Sequence, residues 1–575
     1  MAFKKLENIK RASKAAPPPR RQFLPWILGA FAALFVVFEV YGPVMNGPFI
    51  FDDDYLPFRV PGFSAALGTW LFGVRPLLML TYWVNYRISP SDTFFYHLFN
   101  LVFHFGAGTI MFLVLRRLLA LANVDPDRRL LLCLFGAGLF LLHPVQTESV
   151  AYVASRSENL SVFFFLAAYA IFLGRLPEAV SWPRAAAVVG LFGAAITSKE
   201  HTLVLPGLLL LTDYYWNPGF SFAGIRRNWR LYGPVAAGFA GGLLFIGRML
   251  FGAATAGFGL KDFRWYEYFF TQCRALFVYL RLFVLPFGLT VDYDYPLSRS
   301  LFDHGAVLGL LALVAITVAA WIWRRRFPLM SFGWFVFLIL MAPTSSVMPI
   351  KDVIAERRLY LSMLGLLLIA IELVRRIPGR RVVLGISLAG VLAVAAVLAQ
   401  SRNQVWNDRI ALWEDTVRKS PGKARPHFQL GYAYFEAGRC GEAVRQYQEV
   451  ARIQGPAYDL LVDWGLAYDC LNQTDQALGK LGQAATIEKS AHVYALMGMV
   501  YAKGARWREA LEALAKAESI NPAYAPTFVY RGDIHRAQNA FAAAAEEYRR
   551  ALALDPGNEL ARTGLGLAEQ RLRTF

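Results

Sequence analysis

The sequence predicts an all-α protein that crosses a membrane many times and ends in a helical repeat domain outside the bilayer. Of its 575 residues, 56% are hydrophobic and only 17% are charged, which leaves too little polar surface for one soluble globule. Apolar segments recur as far as residue 398, and from Arg402 the chain becomes polar, with small and aromatic residues at helical spacing. This composition excludes a disordered chain and a secreted disulfide-rich chain.

The net charge indicates a membrane topology rather than a nucleic-acid partner. The chain carries 59 lysines and arginines against 41 acidic residues, a net charge of +18. Most of the cations lie in short loops beside apolar segments, as the positive-inside rule requires of cytoplasmic loops. We therefore expect membrane contact and no nucleic-acid binding. The four cysteines set no disulfide framework.

Residues 1–22 form a basic tail that we expect in the cytoplasm. The apolar stretch that follows, from Phe23 to about Gly42, is long for the apolar part of a signal peptide, and no Ala-x-Ala cleavage pattern follows it. We interpret it as an uncleaved first membrane helix.

Hydropathy predicts about eleven membrane helices within a membrane domain at residues 23–401. After the first, the predicted spans are 95–115, 130–142, 160–173, 185–196, 202–214, 232–250, 307–323, 329–341, 359–374 and 382–398. Several are short, which also fits re-entrant segments. The positive-inside rule places arginine clusters at every second loop, on the cytoplasmic side. The sequence fits this pattern only if the amphipathic segment 265–285 lies along the outer interface and does not cross the membrane.

This topology gives the outer face nearly all of the unusual polar residues of the membrane domain. Its loops are predicted at residues 43–94, 143–159, 198–201, 251–300 and 342–358, and the C-terminal domain, residues 402–575, is outside as well. Inner loops hold mainly arginine. We therefore expect any chemistry on the extracytoplasmic side.

The C-terminal domain contains an internal repeat. A glycine recurs at separations of 34, 33, 34 and 34 residues, at Gly431, Gly465, Gly498, Gly532 and Gly566. With aromatic residues and alanines in register, this is the tetratricopeptide period. A half repeat at 406–421 and a capping helix at 558–573 complete the array. Such solenoids bind extended peptides or protein surfaces, and a structural spacer is the alternative.

Two cysteines of the repeats are predicted to be neighbours. Repeat geometry places Cys440, at the start of the second helix of repeat one, near Cys470, at the end of the first helix of repeat two. In an oxidising compartment they could form a disulfide, but the sequence does not establish the sulfur geometry.

The first outer loop carries three consecutive carboxylates, Asp52, Asp53 and Asp54, between aromatic residues. Adjacent like charges raise one another's pKa, so such a cluster typically binds a cation, meets a basic partner or supplies a general base. A solvated acidic turn is the alternative. Two or three carboxylates do not by themselves separate a base from a ligand of a divalent cation.

Further charged and polar residues lie at the predicted outer ends of other membrane helices. They are His143, Glu148, Arg156, Glu158, Lys199, Glu200, His201, Arg357, Arg358 and Tyr360. Charges so near the hydrocarbon are costly unless they pair or face a cavity, which predicts a polar pocket. Arg357 and Arg358 stand against the positive-inside trend, which suits an anionic ligand, because a guanidinium fork matches phosphate oxygens. Carboxylates for a hydroxyl and cations for a phosphate favour sugar transfer from a polyprenyl-phosphate carrier.

Six short motifs in this order carry a family resemblance. They are Phe51-Asp52-Asp53, Arg75-Pro76-Leu77, Tyr96-His97-Leu98-Phe99-Asn100, His143-Pro144-Val145-Gln146-Thr147-Glu148, Ser198-Lys199-Glu200 and Glu356-Arg357-Arg358-Leu359-Tyr360-Leu361. Together with the repeats that follow, they make the chain resemble, over nearly its whole length, the transmembrane and tetratricopeptide-repeat O-mannosyltransferases of the GT-C glycosyltransferase superfamily.

The resemblance implies an inverting transferase that moves a monosaccharide from a polyprenyl-phosphate carrier to a Ser/Thr hydroxyl of a protein bound by the repeats. Its implied catalytic base is Asp52 or Asp53. The other roles are donor-phosphate binding by Arg357, Lys199, Arg358 and Arg75, acceptor contact or base orientation by Asp54, His143 and Glu148, and pocket lining by Arg156, Glu158, Glu200, His201 and Tyr360. No cofactor is certain, and a divalent cation on Asp52, Asp53 and Asp54 stays open.

Three other functions remain open from the sequence. In the first alternative, the protein is a transferase whose acceptor is a lipid or a glycan. In the second, it is a non-catalytic membrane-anchored scaffold. The third is a transporter, for which we would expect charges at mid-membrane and two similar halves. Neither feature is evident in the sequence, because the polar residues lie at the helix ends. The Ala-, Leu- and Arg-rich composition favours a bacterial inner membrane with a periplasmic active site and an undecaprenyl carrier. In a eukaryote the endoplasmic reticulum membrane, with a lumenal site, would replace it.

Overall fold

The computed structural model describes residues 24–60, 63, 65–176, 178–217, 219–250 and 257–574. The described residues form α-helices and short 3₁₀ turns, with no β-strand among them, so the all-α prediction is confirmed. The predicted basic tail, residues 1–22, lies outside the described residues.

The membrane domain is built from helices numbered in chain order. They are α1 (Leu24–Tyr41), α2 (Leu67–Leu71), α3 (Pro76–Ile88), α4 (Thr93–Leu121), α5 (Pro126–Leu142), α6 (Thr147–Ala151), α7 (Arg156–Leu173), α8 (Trp182–Ile196), α9 (Leu205–Trp216), α10 (Ala223–Arg227), α11 (Trp229–Leu250), α12 (Trp265–Val284), α13 (Ala306–Ile322), α14 (Pro328–Met341), α15 (Leu359–Val374) and α16 (Arg381–Trp406).

The repeat domain continues the same numbering. Its helices are α17 (Arg409–Lys419), α18 (Ala424–Glu436), α19 (Cys440–Gln454), α20 (Tyr458–Cys470), α21 (Thr474–Ile487), α22 (Ala491–Lys503), α23 (Trp507–Ile520), α24 (Ala525–Ala537), α25 (Phe541–Leu554) and α26 (Glu559–Thr574).

Every predicted membrane segment contains a helix, but about eleven full spans are not confirmed. Five segments of the described chain are long and apolar enough to cross a bilayer, and α5 with the bent continuation to Ala151 would make a sixth. Other predicted spans are shorter: α9 has 12 residues and α14 has 14. At about 1.5 Å per residue, a 12-residue helix rises only about 18 Å, less than the hydrocarbon thickness.

Local sequence explains where several of these helices begin. The Asp92 side chain accepts from the backbone N–H of Phe94 at the start of α4, and Asp125 accepts from Asp127 at the start of α5, where Pro126 occupies the first turn. Close packing of the helices then depends on small residues. A Cβ on Gly333 of α14 would lie 2.5 Å from the carbonyl oxygen of Gly365 on α15, so glycine permits this approach.

The amphipathic segment predicted along the outer interface forms α12, which is not among the helices that qualify as membrane spans. One face of α12 is buried, and its hydroxyl and amide side chains bind a neighbouring loop. The Tyr279 hydroxyl accepts from the backbone N–H of Ala355 at 3.1 Å, and Gln272 Nε2 donates to the carbonyl of Val353 at 2.9 Å. Its position at the interface stays a prediction.

Four of the five repeat glycines, all except Gly566, occupy close contacts between paired helices. A Cβ would lie 2.7 Å from the Tyr447 ring at Gly431, 2.9 Å from Leu481 at Gly465 and 2.7 Å from Leu514 at Gly498. Because only glycine allows these approaches, the 34-residue period is a packing period.

A continuous helix and an ion pair join the two domains. Helix α16 passes through the predicted boundary at residues 401 and 402 and ends at Trp406. Arg402 Nη1 then donates to Asp415 Oδ2 of α17 at 2.6 Å, with both side chains largely buried. Farther along, Cys440 and Cys470 form a disulfide between α19 and α20.

Candidate functional site

Four of the six motifs singled out in the sequence contain a short 3₁₀ turn, and a fifth turn precedes Arg156; of the other two motifs, Arg75-Pro76-Leu77 begins α3 and Tyr96-His97-Leu98-Phe99-Asn100 lies within α4. The five turns are Phe51–Tyr55, Pro144–Gln146, Val153–Ser155, Glu200–Val204 and Glu356–Arg358. Four of the five lead directly or within a residue into a helix of the membrane domain, so their polar side chains are anchored by packed helices. The predicted outer loops thereby converge on one polar region.

Asp53 is buried and held by backbone hydrogen bonds. Its Oδ2 accepts from the N–H of Ile50 at 3.0 Å, and its Oδ1 accepts from the N–H of Ala154 at 2.7 Å. Burial raises the pKa of Asp53 to about 8, although the two backbone N–H groups oppose that rise. Asp53 therefore ties the first outer loop to the turn at Val153–Ser155 and is mostly protonated at neutral pH.

Asp52 differs from its neighbour because its side chain is exposed. Its backbone N–H donates to the Tyr152 hydroxyl at 2.9 Å, which fixes the turn. Within the described chain, the Asp52 carboxylate has no hydrogen-bond or ion-pair partner. Of the two carboxylates implied as the base, Asp52 is the accessible one.

Asp54 makes ion pairs with two arginines. Its Oδ1 lies 3.2 Å from Arg59, and its Oδ2 lies 3.2 Å from Arg409 of α17. Arg409 also pairs with Glu436 of α18 at 2.5 Å. Asp54 therefore connects the first outer loop to the repeat domain, and the three aspartates point to three different environments.

Arg357 binds the buried Glu148 through two donors. Its Nη1 donates to Glu148 Oε1 at 2.5 Å, and its backbone N–H donates to Oε2 at 2.9 Å. Its Nη2 lies 3.3 Å from Asp352. Glu148 and Asp352 raise the pKa of Arg357 well above its usual value against the opposing effect of burial, so its positive charge is fixed.

Lys199 and His201 share a second carboxylate, Glu158. Lys199 Nζ donates to Glu158 Oε1 at 2.5 Å, and His201 Nε2 lies 3.4 Å from Oε2. Burial, together with the positive charges of Arg75 and Arg357, lowers the pKa of Lys199, while Glu158 opposes this. The three cations are thus close enough to affect one another.

Arg75 and Glu200 form the third pair. Nε and Nη2 of Arg75 donate to Oε1 and Oε2 of Glu200 at 2.8 and 2.9 Å, a bidentate arrangement. We call the six residues of these three pairs the outer charged cluster: Arg75, Glu148, Glu158, Lys199, Glu200 and Arg357. Its formal charge is zero, and its cations retain 18% to 34% side-chain exposure.

Four other predicted site residues make their contacts outside this cluster. The fully buried Arg156 lies over the Tyr82 ring at 4.4 Å and donates to Asn100. Arg358 donates to the carbonyl of Val353, and His143 Nε2 contacts the carbonyl of Phe283.

Tyr360 is the fourth of these residues, and its hydroxyl contacts Nδ1 of the buried His104 at 2.8 Å. All four side chains therefore make their hydrogen bonds and ring contacts with other parts of the described chain, and none with a residue of the outer charged cluster.

The repeat domain reaches the outer charged cluster through Arg425 of α18. Arg425 donates to Asp292 Oδ2 at 2.5 Å and to Asp352 Oδ1 at 2.8 Å, and Asp352 in turn contacts Arg357. Its guanidinium also lies 5.2 Å from the centre of the Phe51 ring, beside Asp52. Arg425 therefore links the repeats, the first outer loop and Arg357.

Sequence reasoning gave no role to several residues that connect the site. Glu356 begins a quoted motif and Asp352 precedes it in the same predicted outer loop, but their partners include residues far away along the chain. Glu356 Oε1 accepts from the Thr290 N–H at 2.6 Å and from Tyr293 at 2.8 Å. Arg425 was not predicted, because the equivalent positions of the next three repeats are Asp459, His492 and Pro526, which give this position no common residue type.

A metal site on the three aspartates has no support from their geometry. No group of three or more His, Cys, Asp or Glu side chains that could hold a metal ion occurs among the described residues. A divalent cation on Asp52, Asp53 and Asp54 stays a prediction.

A family model described as a TPR repeat matches residues 532–572, which confirms the predicted repeat. Among solved structures, the TPR protein YrrB is 21% identical, with a TM-score of 0.23 over 31% of this chain and 88% of that chain. A Thermus thermophilus TPR protein, TTC0263, is 16% identical, with a TM-score of 0.26 over 32% of this chain and 95% of that one.

Curated relatives match most of the chain. Protein O-mannosyl-transferase TMTC3 of Mus musculus is 25% identical over 84% of this chain, and its Drosophila melanogaster counterpart is 25% identical over 80%. Human TMTC4 is 23% identical over 65% of the chain. The chain spans 57% to 58% of the length of these relatives. The predicted resemblance is confirmed: over most of its length, the chain is related to the transmembrane and tetratricopeptide-repeat O-mannosyltransferases.

Proposed function

We propose that the protein is an inverting glycosyltransferase of GT-C type that moves a monosaccharide from a polyprenyl-phosphate carrier to a Ser/Thr hydroxyl of an extracytoplasmic protein. The names of the relatives support protein O-mannosylation as the reaction class. The observation that carries the proposal is the link between an exposed carboxylate, Asp52, which has no partner among the described residues, and the outer charged cluster. Arg425 lies against the neighbouring Phe51 ring and binds Asp352, which in turn binds Arg357 of the cluster.

Asp52 is the proposed general base. It is accessible, whereas Asp53 is buried, accepts two backbone hydrogen bonds and holds its proton near neutral pH. In the reaction, the acceptor oxygen attacks the anomeric carbon while the bond from that carbon to the phosphate oxygen breaks. The hydroxyl proton passes to Asp52, and the phosphate leaves on the lipid with its electron pair.

The cations of the outer charged cluster are the proposed site for the donor phosphate. Arg75, Lys199 and Arg357 each keep an exposed portion, while their carboxylate partners are more deeply buried and hold them in position. Donors that are fixed before the reaction stabilise charge as it develops on the leaving phosphate, without reorganising. Glu158, Glu200 and Glu148 therefore position the cations, and His201 contributes through Glu158.

The repeat domain is the proposed acceptor-binding module. Its half repeat and its first repeat contact the site directly, because Arg409 of α17 binds Asp54 and Arg425 of α18 bridges Asp352 and the Phe51 ring. A peptide bound along the repeats would reach Asp52 at this end. We place the protein in a bacterial inner membrane with this face in the periplasm, and the Cys440–Cys470 disulfide suits an oxidising compartment.

The test is transfer of radiolabelled mannose from polyprenyl-phosphate mannose to periplasmic protein by the purified full-length enzyme, with and without EDTA. Asp52→Asn is compared with Asp262→Asn, a change at an exposed carboxylate of another predicted outer loop. We expect Asp52→Asn to lose roughly 10²- to 10⁴-fold in turnover and Asp262→Asn to match wild type.

Each other outcome of this experiment rejects a stated part of the proposal. Wild-type turnover in Asp52→Asn would reject the base assignment. Label that moves to a new lipid species, separated from the unreacted donor by chromatography, and not to protein would show a lipid acceptor instead of a protein. No transfer by wild type from any polyprenyl-phosphate sugar would favour the scaffold, and loss of transfer with EDTA would show a metal requirement.

A further inference from the structure

A cleft of about 480 Å³ lies on the predicted inner side of the membrane domain, and its lining includes no residue of the outer charged cluster. It is formed where the C-terminal ends of α4 and α7 meet the start of α5. Three arginines, Arg116, Arg117 and Arg129, line it together with the apolar side chains of Leu113 and Ile171. We call it the inner arginine cleft.

The positive charge of this cleft is not neutralised within the described part of the chain. No described carboxylate forms an ion pair with Arg116, Arg117 or Arg129. Arg116 and Arg117 are exposed, and Arg129 uses one donor on the carbonyl of Val124 at 2.8 Å. The Nε of Arg129 is buried without a hydrogen-bond partner. The cleft therefore has three positive charges and unused donors.

The neighbouring Arg128, in contrast, uses its donors to hold two parts of the chain together. It donates to the backbone carbonyls of Arg375, Ile377 and Gly379, at 3.4, 3.2 and 2.9 Å. These bonds fasten the start of α5 to the loop between α15 and α16. The cleft arginines make no comparable set of bonds, so their donors are available to a ligand.

The surroundings of the cleft indicate a ligand that comes from the bilayer. Leu113 of α4 is 45% exposed, and Leu130 and Leu134 of α5 are 37% and 51% exposed. On helices predicted to lie in the hydrocarbon, such leucines face acyl chains. Basic pockets between membrane helices on the cytoplasmic side typically bind anionic lipid head groups.

We propose that the inner arginine cleft binds the phosphate of an anionic phospholipid of the inner leaflet, with its acyl chains along Leu113 and Ile171. Guanidinium groups form charge-assisted, bidentate hydrogen bonds with phosphate oxygens. The exposed guanidinium groups of Arg116 and Arg117 donate to these oxygens. This site is independent of the proposed transfer reaction.

The test measures lipid binding to the purified, delipidated full-length protein by native mass spectrometry. The probes are cardiolipin, phosphatidylglycerol, phosphatidylcholine, polyprenyl phosphate and inorganic phosphate. The double variant Arg116→Gln, Arg117→Gln is compared with Arg380→Gln, Arg381→Gln, which removes the same charge from exposed inner-side arginines outside the cleft. Arg116→Lys, Arg117→Lys keeps the charge if the first variant fails to fold.

We expect the cleft variant to lose about 30-fold in affinity for phosphatidylglycerol or cardiolipin, and the control variant to stay within about twofold of wild type. Phosphatidylcholine and inorganic phosphate should bind weakly to all of them. Equal losses in the cleft and control variants would overturn the proposal, because they would show only general attraction to a charged surface. Stronger binding of polyprenyl phosphate than of either phospholipid would also overturn it.

Discussion

The outer charged cluster and the inner arginine cleft each contain three cations near helix ends, but the two regions differ in whether these cations are paired with carboxylates. In the outer cluster every cation pairs with a carboxylate from a distant part of the chain, and the sum is neutral. In the inner cleft no described carboxylate pairs with the arginines. Pairing allows charges to be partly buried in fixed positions, as the proposed reaction site requires, whereas unpaired arginines are typical of a cytoplasmic membrane face.

Among the tests of this difference, removal of a cation from the outer charged cluster has the largest expected effect on stability. Arg357→Gln leaves the Glu148 carboxylate, which is 1% exposed, without its ion-pair partner, and we expect a loss of roughly 3 to 5 kcal/mol in unfolding free energy. Inner Arg117→Gln should change stability by less than about 0.5 kcal/mol. Thermal unfolding in detergent measures both. Equal effects of the two variants would contradict the contrast.

Removal of the disulfide has the next largest expected effect on stability, and this effect is in the repeat domain. Cys440 and Cys470 are 30 residues apart, so loss of the bond should destabilise the repeat domain by about 3 to 4 kcal/mol. Reductant should lower the unfolding temperature of the wild type and leave that of Cys440→Ala, Cys470→Ala unchanged. An identical response of both proteins to reductant would show that the disulfide does not stabilise the domain.

Within the first outer loop, pH should separate Asp53 from Asp52. The pKa of Asp53 is raised from about 4 in the unfolded chain to about 8 when folded. The folded state therefore keeps a proton that the unfolded state has lost, and stability falls as pH rises from 4 to 8, by at most about 1.4 kcal/mol per pH unit.

The measurement for Asp53 is the unfolding temperature across this pH range. Asp53→Asn should lower stability at acidic pH, since an amide nitrogen cannot accept one of the two backbone bonds, and it should flatten the fall between pH 4 and 8. Asp52→Asn should keep the wild-type slope. Parallel profiles for wild type and Asp53→Asn would contradict the assignment of the buried proton.

The smallest expected effect lies at the exposed edge of the same loop. Arg59 and Asp54 are 45% and 37% exposed, so Arg59→Ala should change stability by no more than about 1 kcal/mol. The same unfolding assay checks this. A loss as large as that of Arg357→Gln would show that exposure does not decide the strength of these pairs.

The repeat domain was predictable from sequence because its packing repeats. The glycine period fixes which helices approach, and it also placed Cys440 beside Cys470, where the structure has a disulfide. The number of spans was less predictable, since hydropathy marks apolar segments such as α9 without giving the length of the helix that forms there.

The residues of the polar site were predictable, but their pairing was not. Charges beside apolar segments identified Arg357, Glu148 and Lys199 as residues of a polar region. The pairs join positions 209 and 41 residues apart, and no local pattern encodes such partners. Arg156 was predicted from the same rule, yet it packs on Tyr82 because aromatic rings and carbonyl groups can also hold a buried guanidinium.

The most direct test of the central claim measures donor affinity and single-turnover transfer in parallel for wild type, Asp52→Asn and Lys199→Gln, with polyprenyl-phosphate mannose. If the outer charged cluster holds the phosphate and Asp52 takes the proton, Asp52→Asn keeps the wild-type Kd and loses transfer, whereas Lys199→Gln weakens donor binding. Transfer at the wild-type rate by Asp52→Asn, together with an unchanged Kd in Lys199→Gln, would contradict the account.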